Sequence, residues 1–152
     1  MDIRIRSNNS QFTLRAAALI IHDDHVLLIR DNAHDSYYTP GGKVRLNENS
    51  QQAILREIKE ETGCTPAVDR LVFIQERFFE FQQTQHHEMC FYYLMTLPDA
   101  FPTGDTHTDQ PFETLHWLHL NDLSNHKIVP SFLTEYLQHL PQQPLHIIAN
   151  EN

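Results

Sequence analysis

The sequence is poor in cysteine and in basic residues, and both shortages limit what the protein can be. Its two cysteines, Cys64 and Cys90, have neither the spacing of a metal knuckle nor the number that a disulfide framework needs, so we expect two reduced thiols in a reducing compartment. Lysine and arginine total 11 against 20 aspartate and glutamate residues. The resulting net charge of −9 argues against nonspecific binding to nucleic acid or to an anionic membrane surface.

Long apolar runs are also lacking. No stretch approaches the roughly 20 apolar residues of a membrane helix, and the first residues do not have the apolar segment of a secretion signal. We therefore expect a cytoplasmic protein with no membrane partner. The 152 residues contain no internal repeat, low-complexity block or interdomain linker, and they suffice for one developed core. The expected organisation is a single domain over residues 1–152.

Histidine is abundant, with 11 residues, but the histidines show no close ligand spacing. His86, His87 and Glu88 are consecutive, and adjacent residues of a strand point to opposite faces. The two histidines should therefore not converge, and we do not predict a transition-metal site there.

Hydrophobic periodicity predicts a mixture of strands and helices. Residues 12–21 include an apolar run on both faces, as in a central strand, and residues 26–29 follow after a polar turn to complete a hairpin. Residues 1–11 read as a polar turn or frayed lead-in. The other predicted elements are strands at 71–81, 89–96 and 114–118, a polar turn at 82–87, a loop at 98–111, a helix at 130–137, and a tail at 145–148 that either adds an edge strand or docks.

A well-bounded helix is predicted after residue 49. Asn49 can cap its N-terminus with Gln52 three residues on, and Gly63 stands where a left-handed residue ends a helix. The helix has an aliphatic arc and an acidic arc. The aliphatic arc holds Ile54, Leu55 and Ile58, and the other arc holds Ala53, Glu57, Glu60 and Glu61.

Three carboxylates share the acidic face of this helix. Glu57, Glu60 and Glu61 lie at i, i+3 and i+4, where like charges repel. The arrangement costs stability unless a cation neutralises it. Hard divalent cations such as Mg²⁺ take oxygen ligands of this kind, often together with substrate phosphates. The pattern therefore predicts a divalent-metal site on the helix.

Fixed spacings extend the pattern beyond the helix. Gly42 is followed by Glu48, then by Arg56-Glu57, Glu60-Glu61 and Gly63, and a solvated acidic face would not explain these offsets. The stretch from Gly42 to Cys64 resembles the Nudix box, the signature of the Nudix hydrolases. A Tyr-x-Pro before the glycine pair and a late Glu-x-x-x-Trp are similar to the wider family domain.

The resemblance implies a fold and a chemistry. The fold is α/β of the mixed α+β kind, a Nudix-like α/β/α sandwich around a central mixed sheet. The activity is Mg²⁺- or Mn²⁺-dependent hydrolysis, by metal-activated water, of a phosphoanhydride in a nucleoside diphosphate linked to another moiety X. ADP-ribose, a nucleotide sugar or a nucleoside triphosphate would serve as this small-molecule nucleotide substrate. Family members are often dimers, which makes a homodimer a candidate assembly.

The resemblance also implies roles for box residues. Glu60 and Glu61 would be metal ligands, and Glu57 would be a ligand or the general base for water. The carbonyl oxygen of Gly41 would be a further ligand. Outside the metal site, Glu48 and Arg56 would pair, fixing the loop on the helix and orienting its acidic face; Gly42 and Gly63 would be structural.

Some positions depart from the family pattern or lie outside the box. Many members have glutamate and glycine where this chain has Arg45 and Asn47, and Arg45 brings positive charge to the lip of the cleft. Arg15 is a candidate for a phosphate contact or a structural ion pair. The candidates for an additional acid are Glu88, Asp109 and Glu113, and those for stacking on a base or sugar, against ordinary core packing, are Tyr37, Tyr38, Phe79 and Phe81.

A second hypothesis from another functional class is a non-catalytic nucleotide-binding regulatory module on the same fold. Some family members lose box residues and act as regulators. The intact Glu57, Glu60 and Glu61 favour the enzyme.

Overall fold

The structure, a computed structural model, describes residues 1–98, the backbone of residues 106–107 and residues 112–152. Its strands are β1 (Arg4–Ser7), β2 (Ser10–His22), β3 (His25–Asp31), β4 (Ser36–Tyr38), β5 (Gly41–Lys43), β6 (Ala67–Phe81), β7 (Thr84–Thr96), β8 (Thr106–His107), β9 (Glu113–His119), β10 (Ile128–Val129) and β11 (Leu145–Asn150). Its helices are α1 (Ser50–Thr62), a 3₁₀ helix (Leu120–Asn125) and α2 (Phe132–Tyr136). None of the helices in these described residues is long and apolar enough to cross a membrane.

Strand β2 organises the sheet. It pairs in parallel with β7 from Ser10 to Ile20 along one edge. Along its other edge it pairs in turn with β1, β5 and β3, each antiparallel. The main path through the sheet runs β10-β4-β3-β2-β7-β6-β11, with both parallel and antiparallel neighbours. The sheet is therefore mixed, as expected, and its centre is the predicted apolar strand.

Each face of the sheet carries its own core because β2 is apolar on both sides. Helix α1 packs over one face; that core includes Ala16, Ala18, Ile20, Leu27, Ile54 and Ile58. The 3₁₀ helix and α2 pack over the other face; that core includes Leu19, Leu28, Phe73, Tyr92, Leu123 and Leu133. Helices therefore cover both faces of a central mixed sheet, which confirms the α/β/α sandwich.

The ends of α1 lie where the sequence predicts them. Gln52 donates its backbone N–H to Asn49 Oδ1 over 2.8 Å, and the Asn49 N–H donates to Gln52 Oε1 over 2.9 Å, which is a complete capping box. At the other end Gly63 has φ +74° and donates its N–H to the Lys59 carbonyl over 2.9 Å. Both boundary predictions are confirmed.

One assignment on α1 is wrong. The helical period predicts Ala53 on the acidic arc, but it is fully buried in the same core as Ile54 and Ile58. The reason is that α1 packs against β2 and β5 as well, so the side of the helix that carries Glu57 also faces protein. A methyl side chain at residue 53 lets the helix approach the sheet closely.

Two other local predictions need correction. The predicted polar turn is present at residues 8–9, but residues 4–7 are not a frayed lead-in: they form β1, which pairs with residues 10–13 of β2. Strand β7 begins at Thr84 instead of residue 89 and includes both histidines of the predicted polar turn. His86 stacks on Phe79 and His87 stacks on Phe78, with ring centroids 4.8 and 4.4 Å apart. These ring contacts between β7 and β6 stabilise strand pairing at residues 86–87, which the sequence predicts as a turn.

The C-terminal half matches the predictions in outline. The predicted helix at 130–137 is the shorter α2, and the tail forms strand β11, parallel to β6. Within the predicted loop at 98–111, residues 106–107 form β8 and pair with β9. Residues 99–105 and 108–111 of that loop, which include the candidate acid Asp109, lie outside the described residues.

Candidate active site

The structure brings most of the predicted site residues to one cavity, which we call the acidic cavity. Its volume is about 350 Å³. It is lined by Asp2, Arg15, Gly41, Gly42, Lys43, Glu57, Glu60, Glu61 and Glu113. Of the described candidates for a substrate contact by arginine or for an additional acid, Arg15 and Glu113 line it, whereas Arg45 stands beside Glu60 and Glu88 lines a neighbouring cavity.

The glycine pair lets β5 approach both β2 and α1. A Cβ atom at Gly41, whose φ is +157°, would overlap the backbone of Ala16 and Ala17 in β2. A Cβ atom at Gly42 would overlap the carboxyl group of Glu57 instead. Glycine at residue 41 is therefore needed for the pairing of β5 with β2, whereas glycine at residue 42 leaves room for the Glu57 carboxyl group.

Arg56 joins the loop before α1 to the helix. Its Nη2 donates to Glu48 Oε1 over 2.6 Å and to the Lys43 carbonyl over 3.1 Å, and its Nε donates to Glu48 Oε2 over 3.1 Å. The backbone N–H of Arg45 also donates to Glu48, over 2.8 Å. The hydrogen bonds from Arg56 lower the pKa of Glu48, although burial opposes the shift. These hydrogen bonds hold the loop before α1 against the helix.

Loss of this ion pair should lower stability in a pH-dependent way. We expect Glu48→Gln to reduce the free energy of unfolding at pH 7 by about 2 kcal/mol, since it leaves a half-buried guanidinium poorly paired. Because the folded pKa of Glu48 is below its unfolded value, the stabilisation is complete above the unfolded pKa of about 4.3 and is lost as pH falls through the folded pKa.

Urea unfolding of wild type and Glu48→Gln at pH 7 and pH 3.5 would measure this difference. Exposed Glu80 provides the control substitution Glu80→Gln, for which we expect little change. A stability gap between wild type and Glu48→Gln that is equal at the two pH values would contradict the ion-pair account.

Glu57 and Glu60 both interact with Arg56, and Glu60 also lies near Arg45. Glu57 Oε1 accepts a hydrogen bond of 2.7 Å from Arg56 Nη1. Burial raises the pKa of Glu57 above its ordinary value, even though Arg56 opposes that shift. The Glu60 side chain is 47% exposed, with Oε2 3.6 Å from Arg56 Nη1 and Oε1 3.9 Å from Arg45 Nη2. The two carboxylates therefore differ in environment: Glu57 is held inward, and Glu60 is free to rotate toward solvent.

The donor atoms are of the kind that a hard divalent cation takes. The carboxylates of Glu57, Glu60 and Glu61 and the Gly41 backbone line one open cavity. Among the described residues, no three His, Cys, Asp or Glu side chains form a preassembled metal cluster. Glu57 lies 2.7 Å from Arg56 and Glu60 lies 3.9 Å from Arg45, so side chains would have to rotate to bring these carboxylates onto one ion.

Arg15 lies between the acidic cavity and a second cavity of about 280 Å³. Burial of its guanidinium opposes the charged form, but the negative charge of Glu88, and to a lesser extent that of Glu57, keeps the pKa of Arg15 above its ordinary value. Glu88 in turn has Oε2 3.8 Å from Arg77 Nη1. Arg15 therefore offers a permanent positive charge where the two cavities meet.

Glu113 reaches the acidic cavity from β9. The Tyr38 hydroxyl donates a hydrogen bond to Glu113 Oε1, and Tyr38 itself lines the second cavity. Burial and the neighbouring Glu113 raise the pKa of Tyr38, so this hydroxyl stays protonated as a donor. Of the additional acids considered from the sequence and described by the structure, Glu113 is the one that lines the acidic cavity.

Apart from Arg15, Tyr38 and Glu88, the second cavity is lined by residues that the sequence pattern does not single out as functional. Its lining is Arg15, Ala17, Asp31, Ser36, Tyr38, Thr39, Gln75, Arg77, Glu88, Cys90, Tyr92, Val129 and Pro130. One available signal was Gln75, an amide in a predicted strand and in phase with the core residue Phe73. Sequence alone did not show that β10 and β4 would close a cavity over it.

The candidate aromatic residues differ in whether they line a cavity. Tyr38 lines the second cavity. Tyr37 packs edge-on against His116 and His126, and Phe79 stacks on His86. Phe81 is 46% exposed and lines neither of the two cavities described above. Core or surface packing therefore accounts for all of them except Tyr38.

The sequence is similar to those of proteins with a Nudix domain. Residues 12–140 match the model of the NUDIX domain. The putative nudix hydrolase 1 of Caenorhabditis elegans is 31% identical over 120 residues, which is 74% of this chain but 30% of that protein's length. The 8-oxo-dGTP diphosphatase of Escherichia coli K12 is 27% identical over 111 residues, or 70% of this chain and 81% of the relative.

Solved structures share the fold. A MutT protein from Bacillus halodurans superposes with a TM-score of 0.69 at 18% identity, covering 88% of this chain and 86% of the other. A UDP-X diphosphatase gives a TM-score of 0.62 at 24% identity, covering 88% of this chain and 66% of the other. The domain match over residues 12–140 and the box geometry together show that this chain belongs to the Nudix hydrolase family.

Proposed function

We propose that the chain is a divalent-metal-dependent pyrophosphohydrolase that cleaves a phosphoanhydride in a nucleoside diphosphate linked to X. The observation that supports this most strongly is that Glu57, Glu60, Glu61 and Gly41 line one cavity together with the half-buried Arg15. Nudix hydrolases act on small nucleotides and use divalent metals. Two of the similar proteins are named for hydrolysis of an oxidised nucleoside triphosphate and of UDP-X.

Mg²⁺ or Mn²⁺ would be held by carboxylates of Glu60 and Glu61, with Glu57 and the Gly41 carbonyl as further ligands. The ion would neutralise phosphate oxygens and lower the pKa of bound water, which is the chemistry that phosphoanhydride hydrolysis requires. Glu48 and Arg56 hold the loop on α1 and thereby position these ligands.

Two further side chains, those of Arg15 and Glu57, have roles in binding the substrate phosphate and in activating water. Arg15 binds a phosphate at the junction of the two cavities, since a guanidinium is always charged and donates several N–H groups. Glu57 would either complete the metal site or accept a proton from water, the two roles open to a carboxylate that lines the acidic cavity. Arg56 fixes the orientation of that carboxylate.

A substrate screen tests the proposal. Purified protein is incubated with ADP-ribose, UDP-glucose, a nucleoside triphosphate and a dinucleoside polyphosphate, with Mg²⁺ or with excess EDTA. We expect one of these classes to release a nucleoside monophosphate only in the Mg²⁺ samples, with products separated by chromatography. Turnover that survives EDTA would contradict metal dependence. Tight Mg²⁺-nucleotide binding without any product would instead support the regulatory module.

A further inference from the structure

The second cavity shares Arg15 with the acidic cavity, and its lining residues Ala17, Cys90 and Tyr92 belong to the core on the sheet face opposite α1. Its floor crosses three neighbouring strands, because the register aligns Arg15 of β2 with Cys90 of β7, and Cys90 with Gln75 of β6. Cross-strand neighbours point to the same face of a sheet. A phosphate bound at Arg15 would therefore have the rest of its nucleotide directed along this row toward Gln75.

Gln75 has an unsatisfied donor in this cavity. Its residue exposure is 1%, and its Oε1 accepts a hydrogen bond of 3.1 Å from the Tyr92 hydroxyl. Its Nε2 is buried and has no hydrogen-bond partner within the described part of the chain. Buried amide groups are nearly always paired, and leaving one unpaired costs stability. An acceptor on a ligand would satisfy this NH₂ group.

Tyr92 fixes which end of the amide faces the cavity. The phenol ring is 3% exposed and packs edge-on against Phe73 and Phe132, with centroid distances of 6.0 and 5.6 Å. Because its hydroxyl donates to Gln75 Oε1, the amide oxygen is engaged and the NH₂ group is presented. Tyr92 is therefore a positioning residue for a donor.

The other walls combine apolar and polar groups. Ala17, Val129 and Pro130 give apolar surface for a base, and charged residues such as Arg77 and Glu88 line other parts of the cavity. Small-molecule sites use apolar surface for contact area and polar groups for orientation. Tyr38 adds an aromatic side chain to the lining.

We propose that Gln75 determines base specificity by donating from Nε2 to a carbonyl oxygen of the base, so that the second cavity prefers keto bases (hypoxanthine, guanine or uracil) to adenine. The proposal rests on the proposed function, which places a nucleotide phosphate at Arg15. Adenine presents an amino group where hypoxanthine presents a carbonyl oxygen, and an amino donor facing the Gln75 NH₂ leaves both unpaired.

Binding of inosine and adenosine 5′-monophosphates tests the proposal by calorimetry. The two differ in the hydrogen-bonding edge of the purine at positions 1 and 6, and neither contains a phosphoanhydride, so no turnover is needed. We expect wild type to bind the inosine nucleotide about tenfold more tightly, the effect of one hydrogen bond in a buried site. Gln75→Leu should remove this preference by weakening inosine nucleotide binding.

Two further variants separate recognition from folding. Tyr92→Phe keeps the ring but releases the amide, so the preference should shrink while the melting temperature shows a folded protein. Gln75→Glu replaces the NH₂ donor by an acceptor and should shift the preference toward the adenosine nucleotide. Gln143→Glu makes the same change at an exposed residue and should leave the tenfold preference intact.

Equal affinities in wild type, or a preference unchanged in Gln75→Leu, would overturn the proposal. The result is independent of catalysis: hydrolysis without base preference would contradict this inference alone. A base preference that depends on Gln75 in a protein without hydrolytic activity would support the inference and contradict the proposed function.

Discussion

Glu61→Gln is expected to lower kcat/KM for phosphoanhydride hydrolysis by roughly a thousandfold. The neutral amide is a poor substitute for a carboxylate ligand, and a metal contributes several kcal/mol to transition-state stabilisation; a loss of about 4 kcal/mol corresponds to this factor. Stability should not fall, since the change removes like-charge repulsion on the face that Glu61 shares with Glu57. Steady-state kinetics at saturating Mg²⁺, together with thermal melting, would measure both effects.

Glu135→Gln is the matched control for this variant. Glu135 lies exposed on α2, outside the lining of the acidic cavity, so the same change in charge should leave kcat/KM within about twofold of wild type. Full activity in Glu61→Gln would contradict the metal-ligand role. Equal losses in the two variants would indicate that net charge, and not ligation, is responsible.

Gly42→Ala should reduce activity by about a hundredfold in a protein that still folds. The added methyl group would occupy the position of the Glu57 carboxyl group, and a misplacement of about 1 Å in a catalytic group can cost that factor. The backbone of Gly42 is not left-handed, so alanine is compatible with its conformation. Circular dichroism and steady-state kinetics would separate the two effects.

A second substitution makes this prediction sharper. Shortening the displaced side chain relieves the overlap, so Gly42→Ala should lower activity by a smaller factor in a Glu57→Asp background than in wild type. Gly41→Ala is the contrast, because its Cβ would overlap the backbone of β2 and should impair folding itself. Wild-type activity in Gly42→Ala would show that the position of Glu57 is not critical.

The local features of the site were predictable from sequence because they depend on residues close in the chain. The capping box of Asn49 and Gln52, the Gly63 terminus and the pairing of Glu48 with Arg56 all lie within one loop and one helix. Periodicity and capping chemistry suffice for such features.

The features that sequence missed depend on tertiary neighbours. Ala53 faces protein because β5 passes beneath the acidic side of α1, which no helical period reveals. Gln75 is functional in our proposal because Tyr92 on the neighbouring strand engages its oxygen. Glu113 was one of several candidate acids until the fold of β9 placed it beside Tyr38. Long-range pairing decides each of these cases.

The central claim is that the acidic face of α1 binds the metal that drives hydrolysis, and Mn²⁺ titration followed by electron paramagnetic resonance tests it most directly. Free Mn²⁺ is counted in the presence of wild type, Glu61→Gln and the control Glu135→Gln. We predict saturable binding to wild type and to the control, and affinity at least tenfold weaker in Glu61→Gln, since removing one ligand costs more than about 1.4 kcal/mol. Mn²⁺ affinity that is the same in all three proteins would contradict the account.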